Sequence, residues 1–381
     1  MIAYIVWDPM KEIIRGIQPP VWYSVLFALG FIISYQFVVH FFKKEGKDPQ
    51  NVDTLTVYMV LATIIGARLG HLLFYEPENF LSDPLMFFRT WEGGLASHGG
   101  AFGILFAMYL YRNYWVDPDR FNPLKFKFRI KFTKRRREGQ SYLWILDRIV
   151  IVTAMTGAFI RFGNFVNSEI VGKPTESDYG VVFGRIAELY IEEYVTGVET
   201  AEAQKRDTID RPGPGIVPVD IVVTFEDVRL SEEDARSRVE SSIPGILQSE
   251  SVQQHYQEPR RPIDYTMSLV GRKQVATIHT YGISRHPTQL YEAGTCLFIF
   301  LLLLLIWMKY KEKTPEGLLF GLFLILIFGL RFFHEQYKIN QVAFEDDLPI
   351  NMGQILSIPL IIVGVLVIAR VAFKSKKSAT S

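Results

Sequence analysis

The sequence predicts an all-α protein that crosses a membrane seven times and carries a small α+β domain outside the cytoplasm. Of its 381 residues, 49% are hydrophobic and only 21% are charged. The apolar residues are grouped into seven runs, each about as long as the roughly 20 residues that a helix needs to cross a bilayer core. One long hydrophilic segment separates the fourth run from the fifth. The runs are 21–39, 55–75, 94–111, 142–163, 289–308, 316–334 and 353–373.

The first apolar run, 21–39, is predicted to be a retained membrane helix. Residues 1–20 lack the features of a signal peptide, namely a basic region, a short apolar stretch and a small-residue cleavage site.

Basic residues are concentrated in alternate links between the runs. The basic links are 40–54, 112–141, 309–315 and the C-terminal tail, whereas 76–93 and 335–352 are weakly basic or acidic. Because Lys-rich and Arg-rich links stay in the cytoplasm, we predict the N-terminus outside and the C-terminus in the cytoplasm. We expect the basic link 112–141 to contact anionic lipid headgroups, and we expect no nucleic acid partner.

The hydrophilic segment 173–284 is predicted to form the small α+β domain, on the outer face. "RPGPG" (211–215) indicates a turn and "VPVDIVVTFE" (217–226) a strand. "SEEDARSRVESSI" (231–243) begins with Ser and has acids in its first turn, which favours a helix. "MSLVGRKQVATIHTY" (267–281) indicates a hairpin. The predicted domains are therefore 1–172 with four membrane helices, 173–284, and 285–381 with three membrane helices and a basic tail.

The one cysteine, Cys296, lies inside an apolar run. A disulfide within the chain and a cysteine-ligated zinc site are therefore excluded, and we interpret Cys296 as a packing residue and not as a nucleophile. No convincing set of metal ligands is present, so we expect neither a metal nor another cofactor.

Polar and ionisable side chains occur near the predicted outer ends of the helices. Such residues are costly in a membrane and usually functional. They include Tyr23, Arg68, His98, Arg161, Asn164, Asn167, Glu169, Arg285, Arg331 and Glu335. Independent interface anchors would occur at both membrane faces, so we predict that these residues form one site in the outer leaflet.

Each residue also has a structural interpretation. Arg331 and Glu335 are four apart on a helix and could simply pair. His98 could bond to the backbone at a helix start, and the glycines around it could only allow close helix packing. Tyr23 could be an interface anchor.

Five stretches of the sequence resemble the bacterial prolipoprotein diacylglyceryl transferases. They are "GGLASHGGAFG" (93–103), "RFGNFVNSEIVG" (161–172), "RHPTQLYE" (285–292), "RFFHE" (331–335) and "NMGQILSIP" (351–359). The resemblance covers all seven apolar runs in order. It excludes 173–284, which looks longer than the usual outer head of this family.

The resemblance implies a multi-pass enzyme of the bacterial inner membrane whose active site faces the outer leaflet. Such an enzyme transfers the diacylglyceryl group of phosphatidylglycerol to the lipobox cysteine of a preprolipoprotein, which forms a thioether and releases glycerol phosphate. The implied partners are phosphatidylglycerol, the lipobox-containing signal peptide and membrane lipid. The family's functional positions fall on Tyr23, His98, Arg161, Asn164, Glu169, Gly172, Arg331 and Glu335.

The chemistry suggests a role for each candidate. His98 is the natural base for the substrate thiol, and Arg161 and Arg331 offer planar forks of donors to phosphate oxygens. The predicted catalytic residues are His98, Arg161, Arg331 and Glu335. The predicted substrate-binding residues are Tyr23, Asn164, Asn167, Glu169, Gly172, Arg68 and Arg285.

Two other functions are compatible with part of the pattern. A transporter or channel would explain intramembrane arginines, but transporters usually bind their substrates near the midplane between repeats, and the sequence shows no repeat. A membrane-anchored binding protein would leave the arginines unexplained. The sequence leaves open whether 173–284 docks the substrate polypeptide or only caps the site.

Overall fold

Long apolar helices make up most of the membrane part of the chain. The computed structural model describes residues 4–9, 13, 21–89, 93–116, 132–134, 136–208, 212–259, 261–339 and 348–379. The helices are α1 Trp22–Lys44, α2 Gln50–Phe74, α3 Pro77–Ser82, α4 Ser97–Asn113, α5 Tyr142–Val166, α6 Arg185–Tyr194, α7 Glu232–Leu247, α8 Glu250–Gln253, α9 Thr288–Tyr310, α10 Leu318–His334 and α11 Met352–Ala379. The strands are β1 Tyr4–Trp7, β2 Tyr114–Val116, β3 Phe132–Lys134, β4 Gly180–Phe183, β5 Val198–Lys205, β6 Ile216–Phe225, β7 Tyr265–Val270 and β8 Lys273–Ile283.

Within these described ranges, six helices are long and apolar enough to cross a membrane. They are α1, α2, α5, α9, α10 and α11. The predicted third span corresponds to α4, which has 17 residues; at 1.5 Å per residue it is about 26 Å long, slightly less than a typical bilayer core of about 30 Å. A multi-pass membrane protein is thus confirmed, whereas the count of seven spans and the orientation stay predictions.

Some residues on which the sequence predictions rest lie outside the described residues. They include most of the basic link 112–141, residues 90–92 and 340–347 of the other two links, and Arg211 of the predicted turn. The rest of that turn is present, because the Ile216 N–H donates to the Gly213 carbonyl over 3.2 Å.

The chain forms two compact units. The first comprises Met1–Ala28, Ala158–Thr295 and Leu330–Leu356, and the second comprises Leu29–Gly157, Cys296–Gly329 and Ser357–Ser381. The first unit therefore contains the segment 173–284, called the head below, together with one end of α1, α5, α9, α10 and α11. Helices α2 and α4 belong wholly to the second unit.

Glycines bring α2 and α4 into backbone contact in the second unit. A Cβ atom added to Gly99 would lie 2.2 Å from the Gly66 carbonyl oxygen, and one added to Gly103 would lie 2.2 Å from that of Ala62. A side chain at either position would therefore force the helices apart. The packing interpretation of the glycines near His98 is confirmed at Gly99.

Two buried carboxylates fasten the ends of four helices in the second unit. Glu45, just after α1, accepts hydrogen bonds from Arg148 Nη2 of α5 at 2.7 Å, and from Trp307 Nε1 of α9 at 2.6 Å. Asp147 accepts from the backbone N–H groups of Gly317 and Phe320 at 2.7 and 2.8 Å, where α10 begins. Breaking a buried ion pair typically costs about 3–5 kcal/mol, so these contacts fix the helix ends.

The head is built on an antiparallel sheet with strand order β5-β6-β8-β7. The predicted strand 217–226, helix 231–243 and hairpin 267–281 are confirmed as β6, α7 and β7–β8. Helix α7 begins after Ser231, whose hydroxyl accepts a hydrogen bond from the Asp234 N–H at 3.1 Å, an N-cap contact typical of Ser. Alternate β6 side chains are fully buried against α6, α7 and α8.

Three chain segments meet where the head joins the membrane helices, and we call this region the neck. The two ends of the head run side by side. The Thr175 N–H donates to the Ser284 carbonyl at 2.8 Å, and the His286 N–H donates to the Lys173 carbonyl at 3.0 Å. Strand β1 adds to the neck by pairing in parallel with β4, from Tyr4 opposite Gly180 to Trp7 opposite Phe183.

Candidate active site

Five charged side chains of alternating sign form a continuous chain in the first unit. Arg161 Nε lies 2.9 Å from Glu292 Oε2. Lys338 Nζ lies 2.6 Å from Glu292 Oε1 and 3.1 Å from Glu335 Oε1. Arg331 Nε closes the series at 3.3 Å from Glu335 Oε1. This charge chain joins the end of α5, the second turn of α9, the end of α10 and the short 3-10 turn that follows α10.

The two arginines are the accessible members of the charge chain. Lys338, Glu292 and Glu335 are mostly buried, whereas the side chains of Arg161 and Arg331 are 26% and 42% exposed. Each arginine meets its glutamate through Nε. Among the described residues, the terminal nitrogens of these two arginines donate to no protein acceptor. With all five groups ionised the charge chain carries one net positive charge, which attracts an anion.

Glu169 organises the polar residues at the end of α5. Its carboxylate accepts hydrogen bonds from Asn164 Nδ2 at 3.3 Å and from Asn167 Nδ2 at 3.1 Å. Its backbone carbonyl accepts from Gln289 Nε2 of α9 at 2.6 Å. The chain turns sharply here, because Ser168 and Ile170 have positive φ angles of 57° and 56°. The turn brings Glu169 back onto the asparagines.

Gly172 and Arg285 belong to the neck. A Cβ atom on Gly172 would lie 2.4 Å from the His286 carbonyl oxygen, so only glycine fits. The Gly172 carbonyl accepts a hydrogen bond from Arg285 Nη1 at 2.9 Å, and Arg285 Nη2 donates to the Gln254 carbonyl. Burial lowers the pKa of Arg285 to about 10, which still leaves it charged at neutral pH. The structure thus gives both residues a positioning task, and their contact with substrate stays a prediction.

Tyr23, in the first turn of α1, packs against the end of α5 that carries Asn164. Its ring rests on Gly163, where an added Cβ atom would come within 3.0 Å of Tyr23 Cδ2. Gly163 lies between Arg161 and Asn164 in the sequence. The start of α1 therefore packs directly against the segment of α5 that carries the candidate site.

His98 and Arg68 belong to the second unit. The His98 ring contacts the edge of Phe74, with centroids 5.1 Å apart, and lies near Tyr75. Within the described chain the His98 ring makes no hydrogen bond, so the interpretation of a backbone-bonded histidine gains no support. Arg68 is buried and donates to the carbonyls of Gly93, Gly94, Met86 and Arg89. It thereby supports the loop that precedes α4, and its contact with substrate stays a prediction.

Sequence reasoning missed two members of the charge chain, Glu292 and Lys338. Glu292 stands in the "RHPTQLYE" stretch, and a carboxylate near the start of an apolar helix was a usable indication. Lys338 follows Glu335 by three residues, a spacing at which side chains on a helical turn meet. Among the described residues, no three His, Cys, Asp or Glu side chains are grouped so that they could hold a metal ion.

Comparison with known proteins decides the family. The family model described as prolipoprotein diacylglyceryl transferase matches residues 14–370. The chain belongs to this family. The match confirms the resemblance and the predicted enzyme class, a transferase of lipoprotein maturation. It also runs through 173–284, so the exclusion of the head from the resemblance was wrong.

Three relatives of the prolipoprotein diacylglyceryl transferase family share much of their length with this chain. Each is named phosphatidylglycerol–prolipoprotein diacylglyceryl transferase. The relative from Tolumonas auensis is 32% identical over 345 residues, which cover 91% of this chain and 88% of the relative. Those from Chloroherpeton thalassium and Porphyromonas gingivalis are 30% and 31% identical, and the matches cover 99% and 97% of this chain and 96% and 95% of the relatives.

Proposed function

We propose that this protein transfers the diacylglyceryl group of phosphatidylglycerol to the lipobox cysteine of a preprolipoprotein. The cysteine sulfur bonds to the lipid carbon that carried the phosphate. The bond from that carbon to oxygen breaks, and glycerol phosphate leaves with the oxygen and its charge. Family membership and the names of the relatives support this reaction.

The observation that carries the proposal is the pair of partly exposed arginines at the two ends of the charge chain. Arg161 and Arg331 each have one nitrogen fixed by a buried carboxylate, so their forks are held in place before substrate arrives. Two parallel N–H donors match two phosphate oxygens. Fixed donors that face the charge of a leaving group stabilise the transition state without further reorganisation. The one net positive charge of the charge chain matches the single negative charge of the phosphodiester.

His98 takes the thiol proton in this mechanism. A free thiol has a pKa of about 8.5, so at neutral pH a base raises the thiolate fraction during attack. An imidazole is suited to that task. The His98 ring has no hydrogen-bond partner in the described chain, which leaves both ring nitrogens available.

The remaining candidates bind or position the lipid. Asn164 and Asn167 offer amide groups to the phosphate or the glycerol, and Glu169 holds both amides. Tyr23 orients the headgroup from the start of α1. Gly172, Arg285 and Arg68 act through the backbone segments that they hold in place.

We further propose seven spans, with the N-terminus outside, the C-terminus in the cytoplasm and the site at the outer leaflet of the bacterial inner membrane. Phe102, Phe106 and Tyr109 of α4 are exposed, which suits contact with lipid. The alternation of basic links supports the orientation. Nothing in this arrangement calls for a nucleic acid partner.

A transfer assay tests the function. Purified protein is mixed with phosphatidylglycerol vesicles and a lipobox peptide, and a peptide with Ser in place of the cysteine is the control. We expect a mass gain of one diacylglyceryl group on the cysteine peptide and an equal amount of glycerol phosphate. A transporter, a channel or a binding protein would produce neither, and that result would overturn the proposal.

A further inference from the structure

An apolar groove of about 480 Å³ lies in the neck. This volume falls within the range of about 300–1,000 Å³ that is usual for ligand sites. Its walls come from β1, from the segment leading into β4, from the end of α5 and from the start of α9. The side chains that matter most are Ile5, Trp7, Phe165, Tyr179, Leu290 and Tyr291.

The floor of the groove is fixed and its rim is exposed. The Trp7 ring stacks on Phe165 with centroids 4.4 Å apart, and Trp7 Nε1 donates to the Phe165 carbonyl at 2.9 Å. On the rim, Ile5 is 59% exposed and Tyr179 is 68% exposed. Large apolar side chains left exposed around a preformed groove are typical of a binding surface.

Two residues that line the groove adjoin residues of the candidate active site along the chain. Phe165 directly follows Asn164, and Tyr291 directly precedes Glu292, which pairs with both Arg161 and Lys338. The groove therefore lies close to the charge chain, although no residue of the charge chain lines it.

We propose that this groove binds the extended apolar peptide segment next to the substrate cysteine. The inference rests on the proposed function, in which a peptide must present its thiol where the phosphate is held. The signal peptide lies in the membrane, and its chain leaves the bilayer close to the modified cysteine. A groove in the neck, next to residues of the charge chain in sequence, is suited to hold that part of the peptide.

The composition of the groove favours a peptide over the acyl chains of the lipid. Two of its walls, β1 and the segment before β4, belong to the neck and lie outside the membrane-spanning helices. Acyl chains remain in the bilayer core. Thr175, Ser177 and His286 also line the groove. The two hydroxyls are bonded to nearby backbone and His286 Nδ1 to the Tyr291 hydroxyl, which leaves His286 Nε2 as the polar group for a peptide backbone; an acyl chain needs none. Of the two roles open to the head, the groove favours docking of the polypeptide, through the segment that leads into β4.

Exposed rim residues allow a matched test. Ile5→Ser and Tyr179→Ala are compared with Leu269→Ser and Tyr194→Ala, because Leu269 and Tyr194 are 63% and 61% exposed and do not line the groove. With phosphatidylglycerol vesicles and a lipobox peptide, we expect each groove variant to raise the peptide KM about tenfold, equivalent to about 1.4 kcal/mol of binding. The kcat, the KM for phosphatidylglycerol and the melting temperature should stay unchanged, and both control variants should match the wild type.

Two kinetic outcomes would overturn the inference. A rise in the KM for phosphatidylglycerol alone would assign the groove to acyl chains, and unchanged constants would show that it holds no substrate. A photo-crosslinking residue at position 179 adds a readout that needs no turnover. Peptide captured there, together with a wild-type chain that transfers nothing in the same assay, would refute the proposed function and keep the docking site, whereas turnover without capture would do the reverse.

Discussion

Arg161 and Arg331 owe their position to carboxylates that are themselves buried. An exposed arginine has many rotamers, and holding one of them costs conformational entropy. Here Glu292 and Glu335 fix the Nε side of each guanidinium, and Lys338 between them keeps both carboxylates compensated. The terminal nitrogens of both arginines are therefore oriented but still able to bind a phosphate group.

Replacing either arginine with Lys should reduce activity although the charge is kept. Lys lacks the planar fork that contacts two phosphate oxygens at once. We expect Arg161→Lys and Arg331→Lys to lower kcat/KM at least about tenfold, a change of roughly 1.4 kcal/mol in the barrier. Melting temperatures without lipid should stay near that of the wild type, while the stabilisation added by phosphatidylglycerol should shrink.

Arg236→Lys is the control for this experiment, because Arg236 forms an exposed pair with Glu232 in the head. It should leave activity and melting unchanged. If activity fell only in step with thermal stability, the two arginines would be structural.

His98→Gln should lower turnover by roughly 10²–10⁴-fold, the range expected on loss of a general base. Gln retains polar groups but takes no proton near neutral pH. Binding of phosphatidylglycerol, measured by the shift in melting temperature that it causes, should change little. Near-normal turnover by a folded variant would remove His98 from the mechanism.

The residues of the site were only partly predictable. Arg161, Asn164 and Glu169 are close in sequence and follow an apolar helix, so their proximity could be inferred. Glu292 and Lys338 meet only because the start of α9 and the turn after α10 come together. No local pattern encodes that contact.

At the scale of elements, the close approach of α2 and α4 depends on particular glycines. Inside a membrane, helices gain little from burying apolar surface against each other, because lipid is equally apolar. Close backbone packing replaces that driving force. Gly99 and Gly100 are adjacent but differ in this respect: an added Cβ atom would lie 2.2 Å from the Gly66 oxygen at the first position, but no closer than 3.6 Å to any atom at the second.

Gly99→Ala should therefore destabilise the protein, whereas Gly100→Ala should not. Overpacking typically costs about 1–3 kcal/mol, while alanine in a helix is favoured over glycine by up to about 1 kcal/mol. We expect a lower melting temperature in detergent for Gly99→Ala and an unchanged or higher one for Gly100→Ala. Equal effects would mean that these helices tolerate separation.

A buried carboxyl in α6 makes the stability of the head depend on pH. Glu188 is fully buried and accepts a hydrogen bond from the Ala203 N–H at 2.6 Å. Burial and the neighbouring Asp8 carboxyl raise the pKa of Glu188 well above its ordinary value. Because the folded head holds a proton that the unfolded chain releases above its ordinary pKa of about 4.5, stability is present at low pH. It is lost as pH rises toward the folded pKa, by at most about 1.4 kcal/mol per unit.

Glu188→Gln should remove this dependence, because the amide keeps the acceptor for Ala203 and does not ionise. Hydrogen exchange of the β5–β6 amides in the full chain measures the stability of the head at each pH. From about pH 7 to about pH 9, we expect the protection of the wild type to fall relative to that of the variant at the same pH. Equal protection at both pH values would show that Glu188 is not protonated in the fold.

The elements follow from sequence where the pattern is local. The apolar runs gave the long helices to within about five residues at most ends, and Ser231 marked the start of α7. Strand β1 has four residues, and its partner β4 lies about 175 residues further along the chain. A strand this short exists because of its partner, so periodicity alone does not detect it.

At the scale of the whole molecule, the orientation in the membrane is testable with single cysteines. Ser251→Cys in the head and Glu138→Cys in the basic link are exposed positions, each introduced with Cys296→Ala because Cys296 is the one native cysteine. An impermeant thiol reagent added to cells with an intact inner membrane should label position 251 and spare position 138. The reverse pattern would place the head in the cytoplasm and refute the outer-leaflet site.

The neck makes the head exchangeable. The two ends of the head are hydrogen-bonded to each other at Thr175 and Ser284. This contact closes the connection between α5 and α9 and does not depend on the residues between those two positions. Doubling the length of a flexible loop costs only about 0.6 kcal/mol in closure entropy. We therefore expect that heads of different size can be grafted onto one set of membrane helices, provided that the graft keeps β4 as the partner of β1. If the groove docks the peptide, as proposed, a chimaera built in this way should combine the catalytic charges of one enzyme with a substrate preference shifted toward that of another.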